Sequence, residues 1–241
     1  MAKKIIMING SARKQNTFGM LKDLKDIFVG YGINVEIVHL HEININHCVG
    51  CEHCVKKEGC SQMDDMESLM RRIQKSDGLV LGTPIYMNGP SSLLKAFCDR
   101  LNEWVHKPMM ASKPIMMAAT TASSGAKELK KFFFSFAAAL GARRGDFVYR
   151  SNKNMGTLVQ GKEIAGFLSL IADRRRDYKP ALDELIMFEV GKAIAIKSTG
   201  HDNKYWASKG LFNEKYYYLV RINPFKQILV SFIAARIRKN I

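Results

Sequence analysis

Cysteines are the residues of this chain whose spacing points most directly to chemistry. Four of the five follow the pattern C-x2-C-x2-C-x5-C, namely Cys48, Cys51, Cys54 and Cys60. Two C-x2-C steps that share a cysteine can wrap three thiolates around one centre, as in ferredoxin-like iron–sulfur loops, and a fourth thiolate can close the site. Zinc also accepts four thiolates, and a redox-active thiol set or inert cysteines are further alternatives. The pattern predicts metal binding or redox chemistry at residues 48–60.

A polar loop near the N-terminus has the composition of a phosphate site. Residues 9–17 read NGSARKQNT and join an apolar run to a helical pattern. Gly10 is expected to permit a tight turn, while Arg13 and Lys14 supply positive charge beside a helix N-terminus, which favours an anion. The hydroxyl and amide donors are Ser11, Asn16 and Thr17. Because the loop lacks the second and third glycines of the dinucleotide fingerprint, it suits a mononucleotide phosphate better than a pyrophosphate.

Strand and helix patterns alternate over the first 150 residues and would position these loops. Short apolar runs typical of buried parallel strands lie at 4–8, 33–40, 78–82, 114–119 and 146–149. Helical spacing separates them, with Asp64 or Asp65 placed to cap the second helix and Pro90 in the first turn of the third. The pattern predicts an α/β fold with a doubly wound five-stranded parallel sheet.

The pattern changes after residue 150. One long helix is predicted over 181–196, followed by an aromatic segment around Trp206 that could lie near a neighbouring subunit's active site. The last stretch, residues 228–237, is amphipathic and is flanked by basic residues. It fits either an interfacial membrane helix or a helix packed on its own domain or on a partner subunit, and the second interpretation is favoured.

Composition limits the class of protein. The 241 residues are 47% hydrophobic and 24% charged, which is an ordinary globular balance. Neither a targeting segment nor an apolar stretch of the roughly 20 residues that span a bilayer is visible, so we expect a cytoplasmic protein with no integral membrane segment. The net charge of +15 is the sole argument for nucleic-acid binding, which we therefore do not predict.

Three separated motifs resemble one known family. The segments GSARKQNT, GTPIYMNGPSSLLKAFCDRL and TTASSG follow the first, third and fourth predicted strands. In this order they are similar to the NADPH-dependent FMN reductase family of flavodoxin-like proteins. The resemblance implies a flavodoxin-like FMN-binding domain over residues 1–150, with a cysteine loop at 48–60 and a mostly helical C-terminal appendage over residues 151–241.

The resemblance also implies roles for individual residues. The FMN phosphate would be held by Ser11, Arg13, Asn16 and Thr17. The isoalloxazine ring would be lined by Pro84, Ile85, Tyr86, Met87, Asn88 and Gly89, and the ring or ribityl chain would be contacted by Thr120, Thr121, Ala122 and Gly125. The cysteine pattern resembles that of the iron–sulfur flavoproteins, which implies a [4Fe–4S] cluster on Cys48, Cys51, Cys54 and Cys60 that exchanges electrons with FMN.

Together these implications describe an FMN-dependent oxidoreductase. Electrons would come from NAD(P)H, from a redox partner protein or through the iron–sulfur cluster, and would pass to a quinone, an aromatic compound, a flavin or a protein acceptor. Because flavin chemistry belongs to the cofactor, we expect no catalytic acid–base side chain. A homodimer or homotetramer is expected. The alternative function is a non-enzymatic electron carrier like flavodoxin.

Overall fold

The computed structural model describes residues 2–57, 59–172 and 178–240. Residue 58 of the predicted cysteine loop and residues 173–177 and 241 of the predicted appendage lie outside this part. The strands within it are β1 (Lys4–Asn9), β2 (Asn34–His39), β3 (Gly78–Tyr86), β4 (Gly89–Pro90), β5 (Pro114–Thr121) and β6 (Arg143–Ser151). The helices are α1 (Asn16–Gly30), α2 (His53–Lys56), α3 (Met66–Gln74), α4 (Ser92–Arg100), α5 (Asn102–His106), α6 (Ala126–Ala139), α7 (Ala165–Ile171), α8 (Leu182–Lys197), α9 (His201–Ser208) and α10 (Pro224–Asn240).

The sheet has the strand order β2-β1-β3-β5-β6, and every neighbouring pair in this order is parallel. The two-residue strand β4 pairs antiparallel with the end of β3. The predicted five-stranded doubly wound sheet is therefore confirmed, and β4 is an addition that the sequence pattern did not show. Because the chain runs outward in opposite directions from β1 and β3, the crevice between their carboxyl ends is where such a fold binds ligands.

Two hydrophobic cores cover the two faces of the sheet. Side chains alternate along β1, so Ile6 and Ile8 join the core under α3, α4, α5 and α6, whereas Ile5 and Met7 join the core under α1 and α7. All four of these side chains are fully buried. The predicted boundary between the FMN-binding domain and the appendage at residue 150 stays a prediction. Residues within 159–171, beyond that boundary, pack against the sheet as part of the second core.

Several predicted boundaries and caps differ from the structure by a few residues. Pro90 lies in β4 rather than in the first turn of α4, which Ser91 caps by accepting a hydrogen bond from the Leu94 N–H at 3.2 Å. Asp64, not Asp65, accepts a hydrogen bond from the Met66 N–H at the start of α3, at 3.0 Å. Strand β3 continues to Tyr86, beyond the predicted residue 82.

The C-terminal part is helical, as predicted, and has its own aromatic core. Phe188 of α8 packs against Trp206 of α9 with ring centroids 5.5 Å apart. Trp206 is fully buried and donates a hydrogen bond to the His106 carbonyl at 2.9 Å, so it lies inside this chain's own core rather than at an outer surface. Among the described residues, no helix is long and apolar enough to cross a bilayer.

Candidate functional site

A polar cavity of about 260 Å³ lies at the carboxyl edge of the sheet, where β1, β3 and β5 end. All three sequence motifs contribute to it. Its lining includes Ser11, Arg13, Asn16, Thr17, Pro84, Ile85, Tyr86, Thr120, Thr121 and Ala122. The structure thus brings together most of the residues that the resemblance implied, from segments more than a hundred positions apart in sequence.

The loop after β1 depends on Gly10 for space rather than for an unusual turn. A Cβ atom at this position would lie 2.7 Å from the Cβ of Leu94 and 3.0 Å from the carbonyl oxygen of Gly82. The Gly10 N–H donates to that same carbonyl at 2.8 Å, and its φ is not positive. The expected tight turn is therefore a close approach of two backbones.

Positive charge at the loop comes from Arg13. Arg13 lines the cavity, whereas Lys14 does not and instead forms an ion pair with Glu42 at 2.5 Å. That pairing holds the pKa of the Glu42 carboxyl below its usual value, because Lys14 donates a hydrogen bond to it. The two adjacent cations that the sequence grouped together thus face different partners.

Two polar contacts, one of them buried, support the loop, and neither was predicted. The hydroxyl oxygens of Thr17 and Thr120 lie 2.7 Å apart and join α1 to the end of β5. The Asn9 side chain lies 2.9 Å from Nδ1 of His39 at the ends of β1 and β2. Burial, followed by the charge of Lys14, lowers the pKa of His39. For the second contact the available signal was a polar residue at the end of each strand, Asn9 in β1 and His39 in β2.

The second motif forms a β-hairpin rather than an open loop. Tyr86 pairs with Gly89, and the two residues between them, Met87 and Asn88, both have positive φ values of 47° and 63°. This is the geometry of a type I′ turn, which suits asparagine and is unfavourable for methionine. Tyr86 is 53% exposed and Met87 is 99% exposed. The hairpin therefore presents two large side chains to solvent at the mouth of the site. Backbone strain, as at the positive φ of Met87, often occurs at binding sites.

Some predicted residues do not line the cavity, and some unpredicted ones do. The former are Met87, Asn88, Gly89 and Gly125, and the latter are Gln15, Asn152 and Met155. Gly125 has a φ of 90°, and a Cβ atom there would lie 2.8 Å from Ile85 and 3.0 Å from the Asn88 side chain. Gly125 thus lets the hairpin pack against the start of α6.

The cysteine loop, residues 48–60, is closed at its base by a hydrogen-bonded stem. The Asn44 N–H donates to Asp65 at 2.8 Å, and the Asp65 N–H donates back to the Asn44 carbonyl at 3.0 Å. The Asn46 N–H donates to Asp64 at 2.9 Å. Arg100 of α4 donates to Asp64 and also to the Asn46 carbonyl, so one guanidinium joins both sides of the stem.

Three of the four loop cysteines share a second cavity, of about 300 Å³, which Cys48, Cys54 and Cys60 line together with Arg100 and Trp104. Cys51 instead lies 3.3 Å from the Ser61 hydroxyl. All four thiols are free, and within the described ranges no three His, Cys, Asp or Glu side chains converge closely enough to hold a metal ion. The donor set suits a metal, but the sulfur atoms are not gathered around one point.

Individual thiols differ in their acidity. Burial raises the pKa of Cys54, while the hydrogen bond from Ser61 lowers the pKa of Cys51. Cys98 lies on the buried face of α4, and burial raises its pKa strongly. Cys98 is therefore a core residue and takes no part in the cysteine loop.

Comparison with known families identifies the chain's relationship. The family described as NADPH-dependent FMN reductase matches residues 3–144, which is more than half of the chain. The chain belongs to this family. The match contains the carboxyl-edge cavity's three motifs and the cysteine loop, and it ends within β6, so α7 to α10 lie beyond the region that defines the NADPH-dependent FMN reductase family.

Curated relatives match the same region. An iron–sulfur flavoprotein of Archaeoglobus fulgidus is 36% identical over 112 residues, which cover 46% of this chain and 50% of the relative. An iron–sulfur flavoprotein of Clostridioides difficile is 30% identical over 122 residues, covering 48% of this chain and 53% of the relative. The chain spans about half the length of the curated relatives it matches.

Solved structures share the fold at low sequence identity. The structure of RosB with bound 8-demethyl-8-formylriboflavin-5'-phosphate has a TM-score of 0.56 at 15% identity and covers 92% of each chain. The NAD(P)H:quinone oxidoreductase of Methanothermobacter marburgensis has a TM-score of 0.53 at 15% identity, covering 73% of this chain and 93% of that one. These similarities establish the flavodoxin-like fold.

Proposed function

We propose that the protein is an FMN-dependent oxidoreductase whose flavin occupies the carboxyl-edge cavity. The observation that carries this proposal is the convergence of three strand-end motifs on one polar cavity at the switch point between β1 and β3. Ligands of doubly wound sheets bind at this position. Membership in the NADPH-dependent FMN reductase family supports FMN as the ligand.

The residues around the cavity divide by chemistry. On one side, Arg13 and the first turn of α1 offer a cation and free backbone N–H groups, which suit a phosphate. On the other side, Pro84, Ile85 and Tyr86 offer apolar and aromatic surface, which suits a flat ring. Met87, Asn88, Gly89 and Gly125 would then shape the hairpin that borders the ring.

The bound flavin would supply hydride and electron transfer, while the chain binds and orients it. NAD(P)H is the proposed donor, in keeping with the family description, and the acceptor would be a quinone, an aromatic compound, a flavin or a protein. The exposed Tyr86 and Met87 leave the mouth of the cavity open to such a partner.

We further propose a [4Fe–4S] cluster on Cys48, Cys51, Cys54 and Cys60. Three of these thiols line one 300 Å³ cavity, and the buried Nε of Arg100, which lines the same cavity, has no hydrogen-bond partner among the described residues. Such a cluster supplies one-electron transfer. Binding would require the Cys51 thiol to leave Ser61 and join the other three.

One experiment tests both cofactors. Protein purified without oxygen should show flavin absorption bands with a broad brown shoulder and should contain iron and sulfide. Loss of the shoulder and of iron in Cys51→Ser, with flavin retained, would support the cluster, and Cys98→Ser is the matched control because Cys98 lies in the core. A flavin spectrum without iron would remove the cluster, and failure to bind added FMN would overturn the flavin site.

Turnover separates an enzyme from an electron carrier. FMN-loaded protein should oxidise NADH or NADPH when menadione, a nitroaromatic compound or free FMN is the acceptor. If reduction by either nucleotide is absent while dithionite reduces the flavin fully, the carrier function is supported instead.

A further inference from the structure

Arg100 is the most deeply buried cation near the cysteine loop. Its side chain is 2% exposed, and that of its partner Asp64 is fully buried. The guanidinium donates to Asp64 through Nη1 at 2.5 Å and Nη2 at 3.0 Å, and Nη1 also donates to the Asn46 carbonyl at 2.8 Å. Bidentate pairs of this kind fix a guanidinium in orientation as well as position.

The third nitrogen of the guanidinium, Nε, has no hydrogen-bond partner among the described residues. Nε is buried and donates its hydrogen to no group in that part of the chain, while the Cys60 thiol interacts with the same guanidinium. An unsatisfied buried donor of a charged group is costly. Because Arg100 lines the same cavity as Cys48, Cys54 and Cys60, the natural partner for this N–H is an anionic group inside that cavity.

We propose that Arg100 is a positioning residue that donates its Nε–H to the sulfur atoms of the centre held by the cysteine loop and raises the reduction potential of that centre. The inference rests on the proposed iron–sulfur cluster. A fixed positive charge and a hydrogen bond to sulfur stabilise the reduced, more negative state over the oxidised one. Arg100 joins the two sides of the loop stem and tunes the centre with the same side chain.

Variants of the two partners should shift the potential in opposite directions. Arg100→Gln removes the charge and the donor, so the midpoint potential of the cluster should fall. Asp64→Asn removes the negative charge that offsets Arg100, so the potential should rise. A merely structural role predicts something else: both changes would loosen the stem and would lower the iron content together, without opposite shifts.

The measurement is a redox titration of the anaerobically purified protein, followed by electron paramagnetic resonance. Arg71→Gln is the matched control, because Arg71 lines the same cavity but is exposed and paired with Glu67; its shift should be much smaller. Unchanged potentials in Arg100→Gln and Asp64→Asn, with full iron content, would overturn the inference. Absence of iron from the wild-type protein would instead overturn the proposed cluster.

A second measurement needs no substitution and covers the case in which the variants fail to fold. Wild-type protein labelled with ¹⁵N in the arginine guanidino groups should show ¹⁵N coupling in electron–nuclear double resonance of the reduced, iron-loaded protein. The coupling should be absent from protein with unlabelled arginine. A labelled sample with full iron content and no such coupling would contradict a hydrogen bond from Arg100.

Discussion

The hydroxyls of Thr17 and Thr120 lie 2.7 Å apart, although 103 positions separate these residues in the chain. Thr17 stands in the first turn of α1, and Thr120 is near the carboxyl end of β5. Both side chains are almost fully buried, and both residues line the proposed flavin cavity. The bond therefore joins the proposed phosphate loop to the wall of the cavity formed by the third motif.

Replacing either threonine with valine should reveal this coupling. Thr17→Val keeps the shape but leaves the Thr120 hydroxyl without its partner, so the free energy of unfolding should fall by about 1–3 kcal/mol. Urea denaturation of both single variants and of the double variant measures the pairwise energy. The double variant should cost less than the sum of the single variants, and strictly additive losses would contradict a direct bond.

Gly10→Ala should destabilise the fold and weaken FMN binding. The added methyl would lie 2.7 Å from Leu94 and 3.0 Å from the Gly82 carbonyl, and overpacking of this kind costs about 1–3 kcal/mol. Gly19→Ala in α1 is the control, because no described atom outside its chain neighbours and its own helix backbone lies within 4 Å of the added Cβ; there the change should stabilise by about 0.5–1 kcal/mol. Denaturation and FMN titration together check both effects, and equal stability of the two variants would be inconsistent with the crowding at Gly10.

Arg13→Gln should weaken FMN binding by about tenfold or more, since a hydrogen bond to a charged group contributes about 1.5–3 kcal/mol. Riboflavin, which lacks the phosphate, should bind equally to wild type and variant. Lys14→Gln, whose cation pairs with Glu42 outside the cavity, should change FMN affinity much less. Isothermal titration calorimetry with FMN and with riboflavin measures these affinities. If Arg13→Gln lost as much affinity for riboflavin as for FMN, Arg13 would not contact the phosphate.

His39 should make stability depend on pH in the mildly acidic range. Its pKa in the folded state is lowered, first by burial and then by Lys14, so the unfolded state binds a proton more readily. The contribution of neutral His39 to the free energy of unfolding is therefore complete above the unfolded-state pKa of about 6.5. It declines as the pH falls from there toward the folded-state pKa. In His39→Gln the slope between pH 7 and 5 should flatten, measured by urea denaturation at each pH. An unchanged slope would assign the dependence to other groups.

The sequence by itself determined the strands and the motifs, because both are local properties. Buried parallel strands need continuous apolar runs, and the runs at 4–8 and 114–119 lie within β1 and β5. Polar residues after those runs had to reach the carboxyl edge of the sheet, since all parallel strands end there. The spacing of Cys48, Cys51, Cys54 and Cys60 indicated their chemistry for the same reason: the four residues are close in the chain itself.

Tertiary structure alone decided which distant residues meet. Nothing near Arg100 in sequence shows that its guanidinium closes the stem at Asn46 and Asp64, because that contact depends on how α4 packs under the loop. Likewise, the requirement at Gly10 comes from Leu94 and Gly82 in other elements. Periodicity describes which face of an element is buried; it carries no information about the atom that each buried group will meet across the core.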